Sequence, residues 1–263
     1  MYQRQPTIYI GYDQREDLAF KTLVQSIQDT SSKDLNIIKL DQQALRSAGL
    51  YRRAWTQNID TFQKIDMADG KPFSTDFSFT RFLIPHLNQY DGYAIFMDSD
   101  MLVRSDIMEV FDKYAKDDYA LSCIWHDYTP QDGKKMDNMI QQSYSKKNWS
   151  SFMLWNCAHK IHTNLTVDDV NTKSGWWLHN FKWMEDYGLG RKPPLFPLGQ
   201  IDEEWNWLDG HSSVDITPKN VHFTTGGPWF QNWKAVRQVD SIYAKEWEKL
   251  KDKIVINEGL INV

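Results

Sequence analysis

The chain has 263 residues, 41% of them hydrophobic and 25% charged, which is the composition of an ordinary globular protein. Its net charge of -5 argues against a general nucleic-acid binder, which would carry a basic excess. Its two cysteines, Cys123 and Cys157, cannot by themselves build a disulfide framework or a zinc cluster.

The length suits a single α/β domain. Two isolated thiols fit a reducing compartment. The opening residues MYQRQPTIYIGYD run almost at once into a strand pattern, and no apolar run has spanning length. The expectation is a cytoplasmic protein without a membrane span. The chain is rich in aromatics, with 12 Trp and 12 Tyr. Many of these must pack in a core, but flat rings also stack on the apolar faces of sugars.

In chain order, residues 7–11 (TIYIG) read as a strand, residues 16–30 as a helix with a stripe of Leu18, Leu23, Val24 and Ile27, and residues 35–40 as a second strand. That is a βαβ unit and signals a parallel sheet. The turn Gly11-Tyr12-Asp13 then lies at a carboxyl end of the sheet, where open α/β sheets bind ligands. Residues 49–71 read as loop or short helices. Residues 74–87 read as a helix with Phe79, Phe82, Leu83 and Leu87 on one face, bent at Pro85. Residues 93–97 (YAIFM) form a continuous apolar run, as in a strand buried on both faces. It runs straight into Asp98-Ser99-Asp100. Ser105 is the expected cap of a helix bearing Ile107, Val110, Phe111 and Tyr114. Further strands are expected over 119–125, 152–155 and 221–224, a polar loop over 131–147, a Trp-rich helix over 174–187 and an amphipathic helix over 243–253. Strand–helix alternation fades after about Asn156, which suggests an appended acceptor half.

In extended backbone, residues i and i+2 share a side, so Asp98 and Asp100 can present two carboxylates together at a strand end. Two hard oxygen donors suit Mg²⁺ or Mn²⁺. A divalent ion there would stabilise a departing diphosphate as a Lewis acid. A D-x-D match alone is weak, and the apolar strand before it carries the weight. Haloacid-dehalogenase-like phosphatases share that pattern, but on their first strand, with Thr or Val where Leu102 stands here.

The stretch FSFTRFLIPHLNQYDGYAIFMDSDMLV resembles the GT-A glycosyltransferases of the glycogenin and bacterial galactosyltransferase type (family 8-like). Two further stretches, SSFMLWNCAH and VHFTTGGPWF, match the same group in the same order. The resemblance implies an α/β GT-A fold, with a Rossmann-like mixed central sheet flanked by helices. Residues 1–263 would form one domain, with 1–110 as the nucleotide-sugar-binding half and 111–263 as the acceptor-side half. It implies a metal-dependent hexosyltransferase that takes sugar from a UDP-hexose, UDP-glucose or UDP-galactose, and passes it to a carbohydrate or glycoconjugate acceptor with retention.

The implied roles fall on named positions. Asp98, Asp100 and His222 would bind Mn²⁺ or Mg²⁺. Gly11, Tyr12 and Asp13 would hold base and ribose. Arg81 would contact donor sugar or diphosphate, or else form a surface ion pair, and Ser99 would join the donor site. Gly226 and Gly227 could bring backbone N–H groups to phosphate. The group usually has a Lys where Gly227 stands. Arg15, Lys134 or Lys135 could replace its charge, or the loop lysines could simply be solvated. Asn156, with Asp202 or Glu203, would line the reacting sugar, although an acidic helix start reads the same way. His126, Asp127, Trp149 and Trp155 would face the acceptor, with core packing the equal alternative for Trp155. The other readings are a sugar-phosphate nucleotidyltransferase, poorly matched by the single Gly and Arg of IYIGYDQRED, and a non-catalytic carbohydrate-binding protein.

Overall fold

The computed structural model describes residues 5–126, 148–185, 197–231, 233–234 and 241–261. The first βαβ unit forms as expected: β1 (Thr7–Tyr12), helix α1 (Asp17–Thr30) and β2 (Asn36–Asp41). Residues expected as loop or short helices instead form an antiparallel excursion of β3 (Trp55–Gln57), β4 (Lys64–Asp66) and β5 (Pro72–Phe73). These strands are only two or three residues long, and β3 is exposed throughout, so no apolar alternation marks them.

β6 (Tyr93–Met97) and β7 (Met101–Val103) flank the Asp98-Ser99-Asp100 turn. β8 (Leu121–Cys123), β9 (Phe152–Asn156) and β10 (Leu198–Gln200) follow, then β11 (Trp207–Leu208) and β12 (Asn220–His222). The main sheet has six strands in the order β10-β8-β9-β6-β1-β2. β1 pairs in parallel with β2 and β6, and β10 with β8, whereas β9 runs antiparallel between β6 and β8. The carboxyl ends of β1, β6 and β8 therefore share an edge with the amino end of β9.

Alternation along the central strands builds a core on each face of this sheet. Tyr9, Ala94, Phe96, Met153 and Trp155 point to one side, where they meet Phe77, Phe82, Phe181 and Trp183. Ile8, Ile10, Ile95, Met97, Phe152 and Leu154 point to the other, against Leu23 and Ile27 of α1 and Met108 and Phe111 of the helix Met108–Tyr114. Burial on both faces is why β6 reads as an unbroken apolar run.

Three helical expectations are refined. Residues 74–87 contain a 3₁₀ turn, Thr80–Leu83, and a short α-helix, Ile84–Leu87, with Pro85 in its first turn, where a missing N–H costs nothing. Ile107 rather than Ser105 stands at the N-cap of the following helix, and Asp106 Oδ1, one residue earlier, accepts from the Met108 N–H at 3.0 Å. The Trp-rich helix is Gly175–His179, capped by Ser174 and ended by Phe181 in the left-handed region (φ 58°), before a 3₁₀ turn, Lys182–Met184. The polar loop expected over 131–147 lies outside the described residues. The C-terminal helix spans Ala244–Ile261. Among the described residues, no helix is long and apolar enough to cross a membrane.

Candidate active site

The smaller sheet, β11-β12-β7, assembles the site. β12 runs antiparallel to β7, with His222 opposite Met101, and the Phe223 N–H donates to the Asp100 carbonyl at 2.9 Å. This pairing carries an imidazole from late in the chain to the end of β6. One ligand atom each from Asp98, Asp100 and His222 lies within 4.8 Å of the others. All three side chains are largely buried, with 14%, 6% and 2% exposed.

Each member is held from behind. Asp98 Oδ1 is 2.8 Å from Nη1 of Arg81, and the Asp98 N–H donates to the Ser151 carbonyl at 2.9 Å. Arg81 is buried beside the Phe77 and Phe96 rings, and donates to the carbonyls of Phe77 (3.1 Å) and Ser150 (2.6 Å). The Ser150 hydroxyl lies 2.9 Å from Nδ1 of the half-buried His179. Asp100 Oδ1 is 3.2 Å from His222 Nε2, and His222 Nδ1 is 2.9 Å from Asn206 Oδ1.

The donor set fits a divalent cation. Two carboxylates and an imidazole converge, and they outweigh the one guanidinium beside them. An imidazole whose Nδ1 is engaged by an amide oxygen offers Nε2 to a cation, as metal-binding histidines do. Oxygen and imidazole donors together suit Mn²⁺ or Mg²⁺ rather than a soft metal.

Several expected site residues sit otherwise. Ser99 points to the opposite face from the two aspartates, fully buried, and its hydroxyl donates to Glu16 Oε2 at 2.7 Å; no donor molecule can reach it. Asn156 is at the wrong end of its strand. Phe152 pairs with Met97 but Asn156 pairs with Tyr93, so it lies four residues down the antiparallel strand, about 13 Å from the site edge. Asp202 is exposed and ion-paired with Lys113 at 2.6 Å, which holds its carboxyl below the usual pKa range. Glu203 accepts from the Ser212 hydroxyl. Asn206, further along the same 3₁₀ turn, Glu203–Asn206, is the residue that turns inward. Trp155 is fully buried and stacked on Trp183 at 6.1 Å, so it serves the core rather than an acceptor.

The β1 turn is internally engaged. A Cβ on Gly11 would come within 2.5 Å of the Phe77 ring, so packing requires a glycine there. The Tyr12 hydroxyl donates to Asp17 at 3.0 Å. Asp13 is buried and binds Arg15 through two guanidinium contacts, at 3.0 and 2.8 Å. Burial works to raise the Asp13 pKa, but Arg15, with Lys64 behind it, outweighs burial and holds the carboxyl below its usual range. Arg15 also donates to the Ser74 carbonyl at 2.6 Å. Gly226 has φ 99° and already spends its N–H on the Phe223 carbonyl at 2.7 Å, while a Cβ on Gly227 would meet the Trp229 ring at 2.4 Å.

Beyond β8, His126 is buried and lies close enough to His222 for their charges to interact; burial first, then that charge, pushes its pKa down to about 4. Trp125 and Trp149 stack with centroids 5.5 Å apart and planes 6° apart, with Trp125 41% exposed. Trp149 donates to the His126 carbonyl at 3.3 Å. Lys134, Lys135 and Asp127 lie outside the described residues. Sequence reasoning missed Asn206, Ser150, Ser151, Glu16 and Trp125. The available signal for Asn206 was one amide set between two tryptophans, Trp205 and Trp207.

No protein-family model matches the chain. Protein CDI of Arabidopsis thaliana is 42% identical over 247 residues, covering 92% of this chain and 86% of that protein. Among solved structures, the bifunctional glycosyltransferase WbbM aligns with 95% of this chain at a TM-score of 0.53 and 13% identity, and the chain spans 52% of its length. The galactosyltransferase LgtC, solved with donor and acceptor sugar analogues, aligns over 94% of this chain and 95% of its own at a TM-score of 0.51 and 12% identity. The glycosyltransferase GlyE of Streptococcus pneumoniae TIGR4 aligns over 99% of this chain and 64% of its own at a TM-score of 0.50 and 11% identity. At such identity these likenesses establish the fold, which is the GT-A fold.

Proposed function

The chain belongs to the family of protein CDI from Arabidopsis thaliana, and from its site geometry we propose that it is a metal-dependent glycosyltransferase that takes a hexose from a UDP-sugar. The single observation that carries this reading is the convergence of Asp98, Asp100 and His222 at the carboxyl end of β6 in a GT-A fold. Asp98, Asp100 and His222 would hold Mn²⁺ or Mg²⁺, which supplies a Lewis acid to the leaving nucleoside diphosphate.

The chain's own residues do the rest. Arg81 fixes Asp98 and offsets part of the negative charge of the two carboxylates. Burial of the group keeps bulk water away and so strengthens its electrostatics. Residues 1–110 supply the two aspartates and the β1 turn for the nucleotide, and residues 111–263 supply His222 and the acceptor side. The exposed face of Trp125, backed by Trp149, is the aromatic surface for an acceptor sugar. UDP-glucose and UDP-galactose are the proposed donors, and transfer is proposed to retain configuration. The cytosol is its proposed compartment.

Calorimetry with UDP, UDP-glucose and UDP-galactose, in Mn²⁺, Mg²⁺ or chelator, tests the reading on the wild type and on Asp100→Asn. Binding that requires a divalent ion and is lost in the variant supports it. If no nucleotide binds under any metal, the transferase reading is wrong, and a carbohydrate-binding protein becomes the better account.

A further inference from the structure

Asn206 is completely buried at the end of the 3₁₀ turn Glu203–Asn206. Its Nδ2 lies 3.2 Å from the Asn148 carbonyl and 2.9 Å from Ser151 Oγ. A carbonyl can only accept, so that end of the amide must be the NH₂. Oδ1 therefore faces His222, 2.9 Å from Nδ1. An amide oxygen can only accept as well, so His222 carries its proton on Nδ1. The ring's other nitrogen, Nε2, then faces Asp100 Oδ1 at 3.2 Å.

The same amide reaches the other half of the site. Its two donors close on the turn 148–151, where Asn148 adopts the left-handed region (φ 64°) and takes a further bond from Thr224 Oγ1 at 3.4 Å. That turn holds the Ser150 carbonyl that fixes Arg81 and the Ser151 carbonyl that fixes the backbone of Asp98. One buried side chain thus connects the histidine to the support of the first aspartate.

We propose that Asn206 is the positioning residue of the cation group, its amide oxygen fixing the His222 ring so that Nε2 faces Asp100, while its amide donors anchor the side chain to the 148–151 turn. This rests on the cation-dependent reading above. Asn206 touches neither the cation nor a substrate. It acts on the cation through His222, and its contacts to the 148–151 turn serve stability.

The test compares the wild type with Asn206→Leu, which removes acceptor and donors, and Asn206→Asp, which keeps an acceptor for the Nδ1 proton but loses the donors to the turn. Mn²⁺ affinity is read from the electron paramagnetic resonance signal of free Mn²⁺, and the thermal midpoint is read without metal. Both variants should melt lower. Asn206→Leu should bind Mn²⁺ about 10- to 100-fold more weakly, while Asn206→Asp should stay within about threefold of wild type. A residue with a purely structural role would lose affinity alike in both variants, and that result overturns the proposal. So does an Asn206→Leu protein that binds as the wild type does, which leaves the transferase reading standing. If the wild type binds neither Mn²⁺ nor Mg²⁺, the transferase reading fails and the positioning role falls with it.

Discussion

Arg81 and Asp98 face each other as a buried ion pair, with Nη1 2.8 Å from Oδ1 and only 6% and 14% of their side chains exposed. The pair joins the 3₁₀ turn Thr80–Leu83 to the end of β6, so the first carboxylate of the site is oriented before any ligand arrives. Arg81 also spends donors on the Phe77 and Ser150 carbonyls, which makes it part of the frame rather than a free cation of the donor pocket.

Removing one member of such a pair leaves the other charge buried without its compensation. Arg81→Met should lower the unfolding free energy by about 3 kcal/mol, and the Arg81→Met, Asp98→Asn double variant should recover part of that loss. Urea unfolding in the absence of divalent ions measures both. If Arg81→Met unfolds as the wild type does, the pair does not hold the turn to β6.

Gly11 is a second residue whose role the structure redefines. A Cβ there would lie 2.5 Å from Cγ and 2.9 Å from Cβ of Phe77, atoms close to the backbone that cannot swing away. Gly11→Ala should cost about 1–3 kcal/mol through overpacking. The double variant with Phe77→Ala should cost at least about 1 kcal/mol less than the sum of the singles, because the clash is shared. Additive costs in chemical denaturation would show that the two positions do not compete for space.

The first βαβ unit, the buried β6 strand and the D-x-D turn were legible in the sequence because each is a local pattern: a period of two, a helical stripe, a polar triplet after an apolar run. His222 was placed only by the family resemblance, because β12 is three residues long and its pairing with β7 is a long-range contact. Asn156 misled because a polar residue after an apolar strand looks alike at either sheet edge, and only the antiparallel sense of β9 decides which edge it occupies. Asp202 and Glu203 misled because acidic residues draw attention, whereas the side chain that turns inward, Asn206, is a neutral amide that no charge pattern marks. Gly11 read as room for a nucleoside and Gly227 as room for a phosphate, but space beside a glycine can equally be filled by a ring of the protein itself, Phe77 or Trp229.

Ser99 sits between the two aspartates yet faces the other side of the sheet, its hydroxyl 2.7 Å from Glu16 Oε2. Ser99→Ala should destabilise by about 1–3 kcal/mol, the range for a buried acceptor that loses its donor. Mn²⁺ affinity should change by less than about twofold, because alternation keeps the side chain off the cation face. A large loss of affinity at unchanged stability would contradict the assignment of Ser99 to the α1 side.

His162 sets an acid limit on stability. It is fully buried, with Nε2 3.0 Å from the Ala120 carbonyl, and burial, only partly opposed by that bond, pushes its pKa down to about 4. In the unfolded chain an imidazole titrates near 6.5. Between those values the unfolded state binds a proton that the folded state does not, so stability is full above about pH 6.5 and falls as pH drops toward 4, with a slope of up to about 1.4 kcal/mol per pH unit. His126, also near 4, and His179, whose pKa desolvation and the nearby Arg81 and Arg53 charges hold well below the usual imidazole range, add to the loss with the same sign. His162→Gln keeps a donor for Ala120 and cannot titrate. It should be less stable than wild type at pH 8, and the difference should narrow as pH falls to 5. Guanidinium midpoints at pH 8, 6.5 and 5 give the comparison, and parallel curves for the two proteins would show that His162 does not stay neutral in the folded state.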